Sequence, residues 1–215
     1  MTAAFVLAIN LFISGIFAVA FAVVAATNRT ARGAGWLAFG YAMGIVNVLL
    51  EFALPWQTDP TPVAVSIFLV FLLALTFCLL GVARHYDTAP PRMTATAIWI
   101  ASILAIPVVF TLAYNTPARG LLYQLPYVAM QSLIGFVILR SGRRQPLDLL
   151  FLALNGLAAL LYLAKPLIGL IVGTANAPQG YMASFYAIIS QSISSVTLVA
   201  LALVMLLVMM RDTTA

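Results

Sequence analysis

Charged side chains are scarce in this sequence. Only 7% of its 215 residues are Asp, Glu, Lys or Arg, and histidine occurs once. A soluble domain carries about 25% charged residues, because they form much of its hydrated surface. Apolar residues make up 64% of this chain, which leaves too few polar groups to cover a soluble fold. The composition therefore excludes a soluble domain and predicts a protein whose main partner is the lipid bilayer.

Motifs of soluble enzymes and metal sites are also missing. The sequence contains no P-loop, CxxC, HExxH or GxSxG motif. Its single cysteine, Cys78, lies inside an apolar run, can form no internal disulfide and is expected to be a packing residue. The single histidine, His85, is expected at a solvated helix end, so paired histidine ligands for haem would require two chains. We predict no catalytic residue, no metal site and no cofactor in this chain.

Seven long apolar runs separate short segments rich in Pro, Gly, Asn and Asp. Runs of about 20 apolar residues are candidates for transmembrane helices, and these runs lack the polar–apolar alternation of a β-barrel. We predict an all-α membrane protein in which residues 1–215 form one bundle of seven transmembrane helices. The predicted helices are Ala3 to Thr27, Ala34 to Leu54, Pro62 to Arg84, Met93 to Ala113, Leu121 to Leu139, Leu147 to Val172 and Tyr181 to Met210.

The arginines are divided unevenly between the two predicted membrane faces. Cytoplasmic loops carry an excess of Lys and Arg, so the distribution predicts orientation. Only Arg119 falls on one face. We therefore predict the N-terminus outside and the C-terminus in the cytoplasm. The basic residues form no dense stripe with interleaved aromatics, so no nucleic-acid partner is expected. The arginines on the predicted cytoplasmic face are Arg29, Arg32, Arg84, Arg92, Arg140, Arg143, Arg144 and Arg211.

The last predicted helix is longer than a membrane requires. Its 30 residues would extend about 45 Å, whereas the hydrocarbon core is about 30 Å thick. The sequence ends five residues later, at Ala215. Two alternatives stay open: the helix leads into a longer natural protein, or the chain has a short natural tail.

Small and hydroxylated residues mark surfaces where helices can approach closely. Gly40 and Gly44 form a GxxxG pattern, with Gly35 one turn earlier. We expect packing within the chain here, and a dimer contact is the alternative. The last helix carries hydroxyl groups expected to form interhelical hydrogen bonds, on Ser190, Ser192, Ser194, Ser195 and Thr197.

Two ionisable residues, Glu51 and Lys165, lie inside predicted spans. Charge within a bilayer is costly and indicates a functional site. Glu51 lies about one turn, and Lys165 about two turns, from the outer ends of their helices, so their depths differ by about 6 Å. A lysine side chain can cover that distance. We hypothesise that the two residues meet, or share a ligand, in an outward-facing pocket; the alternative is that each extends separately to the interface.

Other polar residues are predicted to line the same pocket. Asn47 lies four residues before Glu51, and Tyr162 three residues before Lys165, so each shares a helix face with its partner. The ligand is predicted to be a small molecule or a lipid-like compound of unknown identity. The complete predicted ligand-binding set is Glu51, Lys165, Asn47, Tyr162, Tyr114, Asn115 and Gln131, with Tyr123, Gln124 and Asn155 nearby.

Three segments resemble a known family. Leu11–Thr27 (which opens LFISGIFA), Gly35–Gly44 (GWLAFGYAMG) and Glu51–Pro55 (EFALP) resemble the N-terminal membrane region of bacterial GGDEF proteins, which are membrane-sensor diguanylate cyclases. The resemblance implies a sensory domain of the bacterial inner membrane that detects an external or membrane-borne ligand. It further implies a homodimer that controls a C-terminal cytoplasmic output domain. The GGDEF domain is not part of this sequence, so the resemblance carries over no catalytic residue.

A small seven-helix solute transporter is the alternative function. The sugar transporters with three-plus-one-plus-three helices, and their PQ-loop relatives, contain paired repeats with prolines in corresponding helices. Here Pro107, Pro126 and Pro166 lie in predicted helices 4, 5 and 6, whereas helices 1 and 2 have no interior proline. That asymmetry favours the sensor over the transporter. A membrane enzyme or a scaffold is a third class, and the lack of deep acidic or nucleophilic residues disfavours the enzyme.

Overall fold

Helices account for nearly the whole structure. The computed structural model describes residues 3–28 and 30–214, so the predictions that involve Arg29 and Ala215 lie outside the described residues. Within these ranges there are seven long α-helices, two short 3₁₀ helices and no strand. The 3₁₀ helices are Leu54–Trp56 and Pro178–Ala183. The α-helices are α1 (Ala3–Thr27), α2 (Ala34–Ala53), α3 (Thr61–His85), α4 (Arg92–Thr111), α5 (Pro117–Arg140), α6 (Pro146–Val172) and α7 (Phe185–Thr214).

All seven α-helices are long and apolar enough to cross a membrane. The prediction of an all-α fold with seven helices able to span a membrane is therefore confirmed, and the chain has the character of a multi-pass membrane protein. Bilayer lipid offers no hydrogen-bond partners to the backbone, so each span satisfies its own amide and carbonyl groups as a helix.

Two helix starts differ from the prediction by four residues, because of capping residues. α5 begins at Pro117 rather than Leu121, since the Thr116 side chain accepts a hydrogen bond from the Arg119 backbone amide (3.4 Å) and proline suits the first helical position. α7 begins at Phe185 rather than Tyr181. Ser184 Oγ caps it by accepting from the Ala187 amide at 3.1 Å. The predicted starts were set by the apolar runs and ignored these caps.

Six of the helices form a closed ring. Going round it, α1 packs on α2, α2 on α3, α3 on α5, α5 on α6, α6 on α7, and α7 returns to α1. α4 lies outside the ring, against α5 and more lightly against α3. Only Ser102 and Val109 of α4 are buried, so most of this helix presents apolar side chains to the surroundings.

The first residues of α1 and the last residues of α7 lie at opposite ends of the bundle. Asn10, in the N-terminal half of α1, contacts Gln191 and Ser195 in the N-terminal half of α7, and these helices run in the same direction. We call the end of the bundle with the C-terminal residues of α1, α3, α5 and α7 the arginine-rich end, and the opposite end the Glu51 end. Arg119 lies at the Glu51 end. The described arginines of the arginine-rich end are Arg32, Arg84, Arg92, Arg140, Arg143, Arg144 and Arg211.

Glycines allow α2 to pack closely between α1 and α3. A Cβ atom added at Gly40 would lie 2.8 Å from Cys78 Sγ and 3.1 Å from the Ala74 carbonyl oxygen of α3. One added at Gly44 would lie 3.1 Å from Ser14 Oγ of α1. The expectation of packing within the chain is therefore confirmed for both glycines, and Cys78 is a packing residue as expected.

Candidate functional site

The ring of helices surrounds a cavity of about 340 Å³. All six ring helices contribute to its lining, and α4 adds Phe110. It reaches loop residues Asn115 and Thr174 at the Glu51 end and extends past the middle of the bundle to Met205 of α7. Its volume lies at the small end of the range of about 300–1,000 Å³ for small-molecule sites, so the cavity has the size of a binding site.

The predicted ligand-binding residues come from three helices, α2, α5 and α6, and from the α4–α5 loop, yet they meet at one place. The structure brings all of them to the lining of this cavity, together with Tyr123, Gln124 and Asn155. That these side chains bind a ligand stays a prediction. The seven predicted residues that line the cavity are Glu51, Lys165, Asn47, Tyr162, Tyr114, Asn115 and Gln131.

Side-chain amides from two helices bind the Glu51 carboxylate. Asn47 Nδ2 donates to Glu51 Oε1 at 2.9 Å, as their shared helix face predicted, and Gln191 Nε2 donates to Oε2 at 2.6 Å. Gln191 also donates to the Tyr181 hydroxyl at 3.0 Å and accepts from Asn10 Nδ2 at 3.0 Å. Glu51 thus belongs to a polar network that joins α1, α2 and α7.

The Lys165 ammonium group also binds α7. Its Nζ donates to Ser194 Oγ at 3.0 Å and lies 5.3 Å from the centre of the Tyr162 ring, a cation–π contact. The predicted shared face of Tyr162 and Lys165 is therefore confirmed. Ser194 in turn donates to the Ser190 carbonyl oxygen at 2.9 Å. An ammonium group has three protons, and only the bond to Ser194 is formed within the described part of the chain.

Glu51 and Lys165 do not meet directly. Five ion pairs form between described residues, and none joins these two side chains. The prediction that they meet is therefore wrong, because Gln191 and Ser194 of α7 bind them instead. The other form of the hypothesis, a shared pocket, agrees with the geometry, since both residues line the same cavity.

Two buried acceptor atoms in the cavity lining have no hydrogen-bond partner among the described residues. They are Asn47 Oδ1 and Gln124 Oε1. A carboxylate only accepts hydrogen bonds, so the Asn47 amino group must face Glu51 and its oxygen must face elsewhere. Buried polar atoms are nearly always paired, so an unpaired oxygen on a side chain that is 7% exposed indicates a place for an external donor.

Arg119 is a buried cation near the rim of the cavity. Its guanidinium carbon lies 4.9 Å from the Tyr114 ring centre and 5.2 Å from that of Phe110, and Nη1 donates to the Leu112 carbonyl oxygen at 2.8 Å. No carboxylate pairs with it in the ranges the structure covers. From the sequence, Arg119 was predicted only to lie on the outer face, and its place in the cavity lining was not predicted.

Two further predicted residues, Asn115 and Gln131, also have protein partners. Asn115, exposed in the α4–α5 loop, donates to Asn176 Oδ1 at 3.4 Å. Gln131 Nε2, buried and deeper in the cavity, donates to Asn155 Oδ1 at 2.6 Å, and Asn155 donates to the Phe151 carbonyl oxygen. The Gln131–Asn155 bond ties α5 to α6 and the Asn115–Asn176 bond joins the loops that precede α5 and follow α6, so both predicted residues have a structural role whatever the cavity binds.

A second polar cluster lies at the arginine-rich end, below the cavity. Asp148, which is 1% exposed, accepts from the Tyr86 hydroxyl at 2.9 Å and from Arg211 Nη2 at 3.1 Å. Burial and the bond to Asp148 raise the pKa of the Tyr86 phenol above its usual range, so it stays a protonated donor. The last turn of α7 is thereby bonded to α6 and to the end of α3.

Asp212 extends this cluster to His85 and Arg143. It is bonded to Arg143, and its Oδ2 lies 3.2 Å from His85 Nε2. His85 is 7% exposed, so the expectation of a solvated helix end is wrong. The cause is α7, whose final turn covers the end of α3.

No group of three or more His, Cys, Asp or Glu side chains that could bind a metal ion occurs in the residues for which structure is described. Comparison of the chain with family models, curated proteins and solved structures gives no match. The function must therefore be argued from the cavity and the two polar clusters.

Proposed function

We propose that this chain is a transmembrane sensory domain in which α7 responds to a ligand in the cavity. The observation that carries the proposal is that α7 supplies a hydrogen-bond partner to each ionisable residue of the cavity, Gln191 to Glu51 and Ser194 to Lys165. The same helix continues without a break to Thr214 and ends in the cluster of Asp148, Arg211 and Asp212.

Competition for hydrogen bonds gives the proposal its mechanism. A ligand group that binds Glu51 or Lys165 weakens the hydrogen bond to Gln191 or Ser194, because it competes for the same carboxylate or ammonium group, and the weakened α7 group must find another partner in a low-dielectric interior. A small rotation or shift of α7 brings these side chains to new hydrogen-bond partners. The ligand changes the conformational equilibrium only by its difference in affinity for the two arrangements of α7. Because an α-helix is stiff, a movement of α7 in the cavity also moves its C-terminal end at the arginine-rich end of the bundle.

The direction of signalling follows from the arginines. Seven described arginines lie at the arginine-rich end and Arg119 at the other, so the positive-inside rule assigns the Glu51 end to the outside. The resemblance to GGDEF proteins supports a place in the bacterial inner membrane, a homodimer, and a cytoplasmic output domain such as a diguanylate cyclase.

The test measures whether the α7 contacts in the cavity set the position of the far end of α7. Spin labels at Met93 of α4 and Leu207 of α7, both exposed near the arginine-rich end, report their separation in nanodiscs. We expect Gln191→Leu and Ser194→Val to shift or broaden the distance distribution, because they release Glu51 and Lys165. Ser192→Ala is the matched control, since Ser192 is exposed on the same helix.

Two results would contradict the sensor. One is a distance distribution that neither Gln191→Leu nor Ser194→Val changes. The other is accumulation of a radiolabelled solute by proteoliposomes beyond one molecule per chain, which would favour the transporter alternative.

A further inference from the structure

The cavity contains two groups of opposite charge, Glu51 and Lys165, that form no direct ion pair with one another. Glu51 extends from α2 and Lys165 from α6, on opposite sides of the ring, and each binds α7 instead of the other. A charge inside a membrane protein is costly unless another charge compensates it. A ligand that carries both charges can compensate Glu51 and Lys165 together.

Glu51 and its neighbour Asn47 offer hydrogen-bond acceptors to a ligand, whereas Lys165 offers hydrogen-bond donors. On the α2 side the Glu51 carboxylate and the unpaired Asn47 Oδ1 are acceptors. On the α6 side Lys165 has two ammonium protons with no partner in residues 3–28 and 30–214, and these are donors. The α2 side therefore fits an ammonium group and the α6 side fits a carboxylate.

Aromatic side chains line the cavity beneath these charges. Tyr162 and Phe71 pack edge to face with ring centres 5.9 Å apart, and Tyr127 contacts both. Together with Tyr41, they give the cavity a largely apolar, aromatic wall at this depth. Such a surface accommodates an apolar or aromatic group, and a volume of about 340 Å³ suits a small molecule.

We infer that the cavity binds a small zwitterion of the amino-acid type, with its ammonium at Glu51 and Asn47, its carboxylate at Lys165, and an apolar or aromatic side chain against Phe71, Tyr127 and Tyr162. This inference rests on the proposed role of the cavity as the ligand site of a sensor. It adds the chemical class of the ligand.

The first experiment measures calorimetric binding of three probes to the full chain in phosphatidylglycerol nanodiscs, which contain no zwitterionic lipid. The probes are L-phenylalanine, 2-phenylethylamine, which lacks the carboxylate, and 3-phenylpropionate, which lacks the amine. We expect each analogue to bind at least about tenfold more weakly than L-phenylalanine, because it leaves one charge uncompensated. Equal affinity for either analogue, or no binding of L-phenylalanine and L-leucine at millimolar concentration, overturns the inference.

The second experiment assigns each charge to its residue. Glu51→Gln should weaken 2-phenylethylamine binding and leave 3-phenylpropionate unchanged, and Lys165→Met should do the reverse. Asp59→Asn is the matched control, because Asp59 is an exposed carboxylate at the same end of the bundle. Equal weakening of both analogues by both variants contradicts the assignment. Should Lys165→Met fail to fold, Lys165→Arg keeps the charge and should retain preference for the zwitterion.

A zwitterionic lipid headgroup offers the same two charges. Adding phosphatidylethanolamine to the nanodiscs separates the sources: competition with L-phenylalanine assigns the site to the lipid, and unchanged binding assigns it to a free zwitterion. The spin-label measurement on Gln191→Leu uses no ligand. A shift of α7 without zwitterion binding therefore rejects the ligand class alone, whereas zwitterion binding without that shift rejects the sensor mechanism.

Discussion

At the scale of single residues, the depth of a carboxylate decides its contribution to stability. Asp148 and Asp87 both pair with arginine at the arginine-rich end, but the Asp148 side chain is 0% exposed and the Asp87 side chain 63%. Water screens the exposed pair, and both of its partners keep their hydration when the pair breaks. Removal of Asp148 instead leaves the Tyr86 hydroxyl without its acceptor and the Arg211 guanidinium with one carboxylate fewer.

We expect Asp148→Ala to lower the free energy of unfolding by about 3–5 kcal/mol, the usual cost of removing one member of a buried pair. The exposed control Asp87→Ala should cost at most about 1 kcal/mol. Unfolding in mixed micelles of dodecyl sulfate, followed by circular dichroism, measures both. Similar losses for the two variants would mean that the buried cluster does not stabilise the fold.

Some residues of the site could be predicted from sequence and others could not. Glu51 and Lys165 stand out because charge is rare in apolar runs, and helical spacing then predicts Asn47 and Tyr162. Gln191 gives a weaker signal, since an amide in a span can face lipid, a neighbouring helix or a cavity. The packing of α7 between α6 and α1, which completes the ring of helices, is what turns Gln191 towards the cavity. His85 was predicted wrongly because its burial depends on α7, which is distant in sequence.

At the scale of helices, close approach of α2 and α3 depends on a missing side chain. The space beside Gly40 is filled by Cys78 Sγ and the Ala74 carbonyl, whereas a Cβ at Gly15 of α1 would meet nothing within 4 Å. The pattern of small residues predicted this packing, and the apolar runs predicted all seven spans. The starts of α5 and α7 were misplaced, because single capping residues set them and average hydropathy does not.

We expect opposite effects from two substitutions of the same kind. Gly40→Ala should destabilise the protein by about 1–3 kcal/mol, because the added methyl group overlaps α3. Gly15→Ala has room for its methyl group and should be neutral or stabilising by up to about 1 kcal/mol, since alanine restricts the unfolded chain more than glycine does. Thermal unfolding midpoints in one detergent give the comparison. A loss of stability of equal size in both variants would contradict the packing argument.

At the scale of the whole molecule, the proposed direction of signalling depends on which end of the bundle faces the cytoplasm. Trp56, 85% exposed, lies at the Glu51 end, and Met93, 89% exposed, lies at the arginine-rich end. The two positions report on opposite membrane faces if the helices span the bilayer. The excess of arginine near Met93 predicts that this face is the cytoplasmic one, because arginine-rich loops are retained there during insertion.

We expect Trp56→Cys, in a background with Cys78→Ala, to react with a membrane-impermeant maleimide on intact cells. Met93→Cys should react only after the membrane is permeabilised, and the Cys78→Ala parent should not react in either case. The reverse pattern would place the cavity on the cytoplasmic side, and α7 would then carry a signal outward. Reaction of both cysteines on intact cells would mean that the helices do not all span the bilayer, and the cavity could not separate an external ligand from a cytoplasmic response.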